Sequence, residues 1–534
     1  MSFYLPAELL NKIFCFIDEN DVKTLYSCIL VNRVWCKTMI PHLWKRPFRL
    51  AIKKQSEKLV PAYFYYFSKE TKSILQFYTP SSSFDTTPTF DYPIFLRELD
   101  YSEVYLAIRR WCDLRNRTNQ STGFEVFKQR GRQILFILQE LSKLFMLKCN
   151  KLDYLSLDIK AIRCGTFGRL ADCMLALTNF PGASHCLVQL KKFVTRGIYD
   201  KDIIFRSLIQ YCRNIDEMII EDSDSNEGDS LVDLITSQRK LRKFTIGNWW
   251  GCLLKVLKSL GDQRNSLTFI EIYGCHFRSD FDNDIIFNGV ICCKNLETLK
   301  IEECYNLTSN TMKPLANTIF PKLHTLYFSN YLLIEDVEDL NDQGIIPNDD
   351  QGQDHPHLEL IAIIQNANIT LRNVRLNMDL LDYPNIITTC ATNCPNITHY
   401  KARIQNHSEM NQLLLLLKSC TRLEKLEITA EKWECSDFGL PWEIDLFFPD
   451  IGKSLPKTLK YLDIDGWSCT PLGLSNFLKY CNVEIKRMSW MCYISSADYL
   501  DVIEKYAKLK GRTINGHIEK KKWGLNFTLI VDFD

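Results

Sequence analysis

The sequence predicts an α/β chain in which a small helical module is followed by a curved solenoid with parallel strands on its concave face. Three observations predict it. Apolar residues recur at three- and four-residue spacing in the first fifty positions, the period of amphipathic helices. From about residue 149 a Leu-x-x-Leu-x-Leu pattern returns roughly every 26 residues, a period at which each unit is too small to bury its apolar face alone. Of the 534 residues, 46% are hydrophobic and 24% charged, enough apolar material for a core along the whole length.

Taken in order, Leu5-Pro6 opens a stretch in which Leu9, Leu10, Ile13, Phe14 and Ile17 share a helical period, with Glu8, Lys12 and Asp18 facing out. A polar break, Asp18-Glu-Asn-Asp21, precedes a second periodic segment carrying Leu25, Cys28, Ile29 and Val31. A third runs from Asn32-Arg33-Val34-Trp35 to Leu43-Trp44. Three short helices of this size rarely form a stable core unaided, so their surplus apolar surface asks for another protein. Residues 3–48 resemble the F-box: Leu5-Pro6, Glu8-Leu9-Leu10, Ile13-Phe14, Leu30-Val31-Asn32, Trp35 and Leu43-Trp44 follow its order and approximate spacing. The resemblance implies docking on a Skp-type adaptor, and through it on cullin and RING subunits. It assigns adaptor contact to Leu5, Pro6, Leu9, Leu10, Ile13, Phe14, Leu30, Val31 and Trp35, with residues 1–48 as the module.

Residues 49–148 read as a helical linker and N-terminal cap: Glu57 to Phe67, a loop near 78–100, then helices at Ser102 to Cys112 and Phe124 to Leu147. Ile134, Leu138, Leu141 and Phe145 share one face of the last. An open-ended array needs such a cover on its first repeat.

The array itself spans 149–495, and its clearest unit is Cys293-Lys-Asn-Leu296-Glu-Thr-Leu299-Lys-Ile301-Glu-Glu-Cys304. Units begin at Leu152, Leu190, Ile215, Leu241, Leu267, Leu296, Leu323, Leu371, Ile397, Leu423, Leu459 and Ile485. Two are degenerate, with Thr195 where the third leucine belongs and Trp490 closing the last. An acidic insertion near 335–357 doubles one interval. Cysteine precedes the first leucine by three residues at Cys149, Cys212, Cys293, Cys394 and Cys420, one per repeat and not in Cys-x-x-Cys pairs, so the register predicts packing and no metal. The unit resembles the cysteine-containing leucine-rich repeats that follow F-boxes. Residues 496–534 read as a C-terminal cap, in which Leu525, Phe527, Leu529, Val531 and Phe533 alternate like a strand.

Function classes narrow accordingly. Lys and Arg total 65 against 64 Asp and Glu, which leaves no global field for nucleic acid or an anionic membrane. The 21 cysteines, the absence of a leader in Met1-Ser-Phe-Tyr-Leu-Pro-Ala-Glu8 and the lack of a long apolar run predict reduced thiols in the cytoplasm or nucleus. No nucleophile elbow, phosphate loop or metal motif has a supporting context, so no catalysis, cofactor or metal is expected. Between the template leucines, alternate strand residues face outward: Glu217 and Glu221, Glu271 and Tyr273, Thr298, Lys300 and Glu302, Thr325 and Tyr327, later Asp463 and Asp465. Arg375, His399, Lys401 and Arg403 form a cationic group there, suited to an acidic or phosphorylated peptide of an unknown protein substrate, although a solvated face of mixed charge has the same composition. The serine-bearing acidic stretch Glu221 to Asp229 reads as a solvated turn open to phosphorylation. What the resemblance implies is a substrate-recognition subunit of an SCF-type ubiquitin ligase acting in ubiquitin-dependent protein degradation. The alternative is a leucine-rich-repeat scaffold outside ubiquitin transfer.

Overall fold

The computed structural model describes residues 5–51, 56–78, 87–116, 124–158, 176–198, 201–223, 228–251, 253–277, 286–329, 356–378, 385–404, 407–429, 444–492, 496–520 and 527–533. Most of the acidic insertion, residues 224–227 of the serine-bearing stretch, and Leu525 lie outside these. The chain is α/β, a mostly parallel sheet alternating with helices, and divides into two compact units, Met1–Ser259 and Leu260–Asp534.

The first unit opens with three helices, α1 (Ala7–Phe14), α2 (Val22–Ile29) and α3 (Arg33–Leu43). Local chemistry starts each one. Pro6 precedes α1, the Asp21 carboxylate accepts the Thr24 N–H at 3.1 Å, and Asn32 Oδ1 accepts the Val34 and Trp35 N–H groups, both at 2.9 Å. Leu10, Phe14, Leu25, Cys28 and Met39 form the module's core, with Trp35 edge-on to Phe14 at 5.3 Å between ring centres.

Past α3 the chain runs through short helices at Pro47–Ala51, Val60–Phe64 and Lys69–Tyr78 before it enters the sheet. The Lys45 carbonyl accepts two N–H groups, from Arg97 at 2.9 Å and Glu98 at 3.0 Å, at the start of β1 (Glu98–Asp100). The same two-pronged contact recurs between the following strands of this unit: Arg97 accepts from Asp153 and Tyr154, Asp153 from Lys191 and Lys192, Lys191 from Asp216 and Glu217, and Asp216 from Arg242 and Lys243. Thus the helical module ends as though it were a repeat preceding the first. Trp44, stacked on Tyr92 at 3.9 Å, seals this junction. Part of the stretch expected as loop is therefore a strand, whose three residues Glu-Leu-Asp are too few to show a period. β2 (Tyr154–Asp158), β3 (Lys192–Arg196), β4 (Glu217–Ser223) and β5 (Lys243–Trp249) follow in parallel. Behind them run the helices Tyr101–Asn116 and Phe124–Lys148, the latter burying Ile134, Leu138, Leu141 and Phe145 as its spacing predicts.

In the second unit β6 (Phe269–Tyr273), β7 (Thr298–Glu302), β8 (Thr325–Ser329), β9 (Asn373–Asn377), β10 (His399–Arg403), β11 (Lys425–Thr429), β12 (Tyr461–Ser468) and β13 (Arg487–Cys492) form a second parallel ladder. The sheet then reverses. β14 (Ile514–Lys520) and β15 (Phe527–Phe533) are antiparallel, β15 lying between β13 and β14. The alternation at Phe527, Leu529, Val531 and Phe533 thus marks a real strand, while β14, interrupted by Gly516, carries no comparable pattern.

In both units every strand from β2 to β13 starts two residues after a template leucine or isoleucine, and all those residues are buried. The degenerate positions keep the inward register, because Thr195, Met488 and Trp490 are buried too. The repeat cysteines sit beneath the strands. Cys212 Sγ donates to the Leu187 carbonyl at 3.3 Å and Cys420 Sγ to Cys394 at 3.4 Å, contacts that tie one coil to the preceding one. Burial pushes the Cys212, Cys293 and Cys394 thiols up to about 12, so they remain protonated and inert. No group of metal-ligating side chains occurs among the described residues.

Candidate functional site: the outer faces of the helices and the open strand face

Two apolar stripes cover the surface of the helical module. On α1, Leu10 and Phe14 point inward, 1% and 2% exposed, while Leu9 and Ile13, each 46% exposed, form a second row one position earlier. Phe16, just past the helix, is 90% exposed. Val22, Tyr26 and Leu30, four residues apart, repeat the arrangement along α2, and Val31 follows them outside. Of the residues assigned to adaptor contact, Leu5, Pro6, Leu9, Ile13, Leu30 and Val31 are therefore open, Leu10 and Phe14 are spent on the module's own core, and Trp35 is half-buried against Phe14. Phe16, Val22 and Tyr26 join the open set. For Val22 and Tyr26, the i, i+4 spacing that continues to Leu30 was the signal available in sequence. Single exposed apolar residues are ordinary, but stripes on two neighbouring helices are the kind of surface a protein partner covers.

The open strand face of the second unit is organised as a row by register. Glu271, Lys300, Tyr327, Arg375, Lys401, Glu427 and Asp463 lie opposite one another across successive strands. Charges along it are mostly answered. Lys300 pairs with Glu271 at 2.9 Å, Lys425 and Lys401 reach Glu427 at 2.5 and 3.5 Å, and Ser489 donates to Asp463 at 2.6 Å. Burial alone would raise the Glu427 carboxyl, but Lys425, Lys401 and Arg375 hold it below its ordinary value. Tyr327 lies between two cations from flanking strands, Lys300 at 4.9 Å and Arg375 at 4.7 Å from its ring centre, and its hydroxyl accepts from Asn373 Nδ2 at 2.9 Å.

The four cations expected to act together are not equivalent. Arg375 and Lys401 are half-buried neighbours in the central row, His399 stands on the adjoining row, its imidazole held below the usual range by burial, and Arg403 is buried at the strand end. Alternation along β10 gave the direction of Arg403 but not its depth. Tyr327, which positions Arg375, belongs to the outward set read from sequence, yet only the β8–β9 register brings the two together.

In the first unit, Arg46, Arg49, Glu98, Asp100, Glu103, Tyr154 and Lys192 line a cleft of 460 Å3. Arg49 and Lys45 reach Glu98 at 3.7 and 3.4 Å, and Asp100 caps the following helix through the Ser102 N–H at 2.9 Å. Burial, helped by Asp100, pushes the Glu103 carboxyl up to about 8. No helix among the described residues is long and apolar enough to cross a membrane. No protein-family model matches the chain, and no curated protein matches it.

Proposed function

We propose that the chain is the substrate-recognition subunit of an SCF-type cullin–RING ubiquitin ligase. The helical module docks on a Skp-type adaptor through Leu5, Pro6, Leu9, Ile13, Phe16, Tyr26, Leu30 and Val31, and the open strand face of the repeats holds a protein target. One observation carries this: the segment that resembles the F-box leaves an uncovered apolar stripe on α1 and another running along α2 to Leu30, which is 69% exposed, although the module already has a core of its own. The chain performs no bond chemistry. It raises the local concentration of target lysines at a conjugating enzyme carried by the ligase. The Lys45 carbonyl contact with β1 supports this role, because a module joined through sheet hydrogen bonds passes its orientation to the first repeats without a flexible linker.

Co-expression of the full chain with a Skp-type adaptor and cullin tests the proposal. The three should copurify, and Leu9→Asp combined with Leu30→Asp should abolish this while leaving the chain folded, since both sites are open. Adaptor without cullin would favour a scaffold outside ubiquitin transfer. Unchanged copurification of the double variant would remove the docking surface.

A further inference from the structure

Where the helix Phe124–Lys148 ends, the following coil packs tightly against its last turn. Gly182, which precedes the short helix Ala183–Cys186, has φ +87°, and a Cβ there would collide with the Met146 carbonyl oxygen and lie 3.0 Å from Leu147 Cα. Only glycine allows both the conformation and the approach. Cys186 follows one turn later, opposite Cys149, and the Lys151–Leu152 peptide unit bridges the two: its carbonyl accepts Cys149 Sγ at 3.0 Å and its N–H donates to the Cys186 carbonyl at 2.8 Å. Both are free cysteines, 2% and 0% exposed. Arg97 stands beside them, its Nη1 donating at 2.6 Å to the Leu96 carbonyl that Cys149 Sγ also reaches, at 3.0 Å. The Cys186 thiol donates to the Cys149 sulfur, and this bond, with the Arg97 charge, holds Cys149 below the ordinary thiol range despite its burial, while the same contact and burial push Cys186 up. Cys212 and Cys420 differ, since each donates to a carbonyl of the preceding coil.

We infer that Cys149 and Cys186 are a redox-modification site, which a peroxide converts to a disulfide that ties the end of the capping helix to the next coil. The Cys149 thiolate attacks one oxygen of hydrogen peroxide and the O–O bond breaks, giving the Cys149 sulfenic acid and a hydroxide that takes up the proton Cys149 released. The Cys186 sulfur then attacks the sulfenic sulfur, the S–O bond breaks, and the departing hydroxide takes the Cys186 proton. Two thiols are oxidised, one peroxide is reduced and two waters leave. Because both sulfurs are shielded from solvent, the reaction proceeds through local opening of this coil, and the disulfide, by closing residues 150–185 into a covalent loop, then suppresses that opening.

The full chain, purified in the reduced state, is treated with hydrogen peroxide, unfolded in an alkylating agent and mapped by mass spectrometry without reduction. A peptide linked through Cys149 and Cys186 should appear in most chains, while Cys212 and Cys293 are recovered as free thiols. Cys186 shares its tryptic peptide with Cys173, so Cys173→Ser should keep the link and Cys186→Ala should abolish it, leaving Cys149 to advance to the sulfinic acid. Arg97→Gln should slow linkage several-fold, and Arg97→Lys, which keeps the charge, should not. Hydrogen exchange in peptides covering residues 145–158 and 183–196 should slow at least tenfold in the linked chain and recover on reduction. Recovery of Cys149 and Cys186 from the native chain as free thiols, or as separate sulfinic acids, would overturn the assignment, and unchanged exchange in the linked chain would refute the tie between the coils. Neither readout depends on the ligase role.

Discussion

Leu9 and Leu10 are adjacent in sequence and opposite in consequence. Leu10 is 1% exposed in the core with Phe14, Leu25 and Met39, so Leu10→Ala removes buried methyl groups and leaves a cavity, at a cost of about 2–5 kcal/mol. Leu9 is 46% exposed, and full burial of a leucine side chain is worth about 1.5–3 kcal/mol, so Leu9→Ala forfeits at most about 1 kcal/mol. Hydrogen exchange of peptides covering α1 to α3 in the full chain reads the module locally, which global melting of a chain with two units does not. Exchange in these peptides should accelerate by about 30-fold or more for Leu10→Ala, since about 1.4 kcal/mol is a factor of ten, and by less than about fivefold for Leu9→Ala. Similar acceleration in both variants would show that the outer row is buried by the chain itself, and the docking surface would be lost with it.

Two further outcomes follow from single buried groups. Thr195 is fully buried in β3, and its hydroxyl has no hydrogen-bond partner among the described residues, so Thr195→Val should raise stability by about 1 kcal/mol, read as a higher denaturant midpoint; a lower midpoint would mean that the hydroxyl is satisfied. The folded Glu103 carboxyl keeps its proton up to about pH 8, whereas the unfolded chain releases it near its ordinary value of 4.5, so the folded state binds the extra proton and stability declines as pH rises between the two. Glu103→Gln should flatten that decline in unfolding midpoints measured across this range, and an unchanged slope would contradict the burial of this carboxyl.

Much of the fold is legible because the repeat imposes one physical demand many times. Each Leu-x-x-Leu-x-Leu unit must bury its leucines, and the strand follows at a fixed offset, even where Thr195 or Trp490 replaces the expected residue. Elements made once are harder to see. β1 has three residues and no period, and the carbonyl of Lys45 that joins the helices to it carries no side-chain signature. The helical stripes were half legible. Neighbouring residues on a helix stand about 100° apart, so the pairs Leu9-Leu10 and Ile13-Phe14 fit an apolar face in either rotation, and only the position of α3 decides which row is covered. The strand face shows the same division: alternation identifies Tyr327 and Arg375 as outward residues, while their stacking depends on a register across the long interval between β8 and β9.

Side-chain footprinting with hydroxyl radicals, applied to the full chain with and without a Skp-type adaptor, reads the outer stripes directly. Phe16 and Tyr26, 90% and 57% exposed, should oxidise readily in the chain alone and be strongly protected in the complex, while the core residue Phe14 stays unreactive in both. A complex in which Phe16 and Tyr26 oxidise as fast as before, or a mixture in which no complex forms, would contradict the docking of this module on the adaptor.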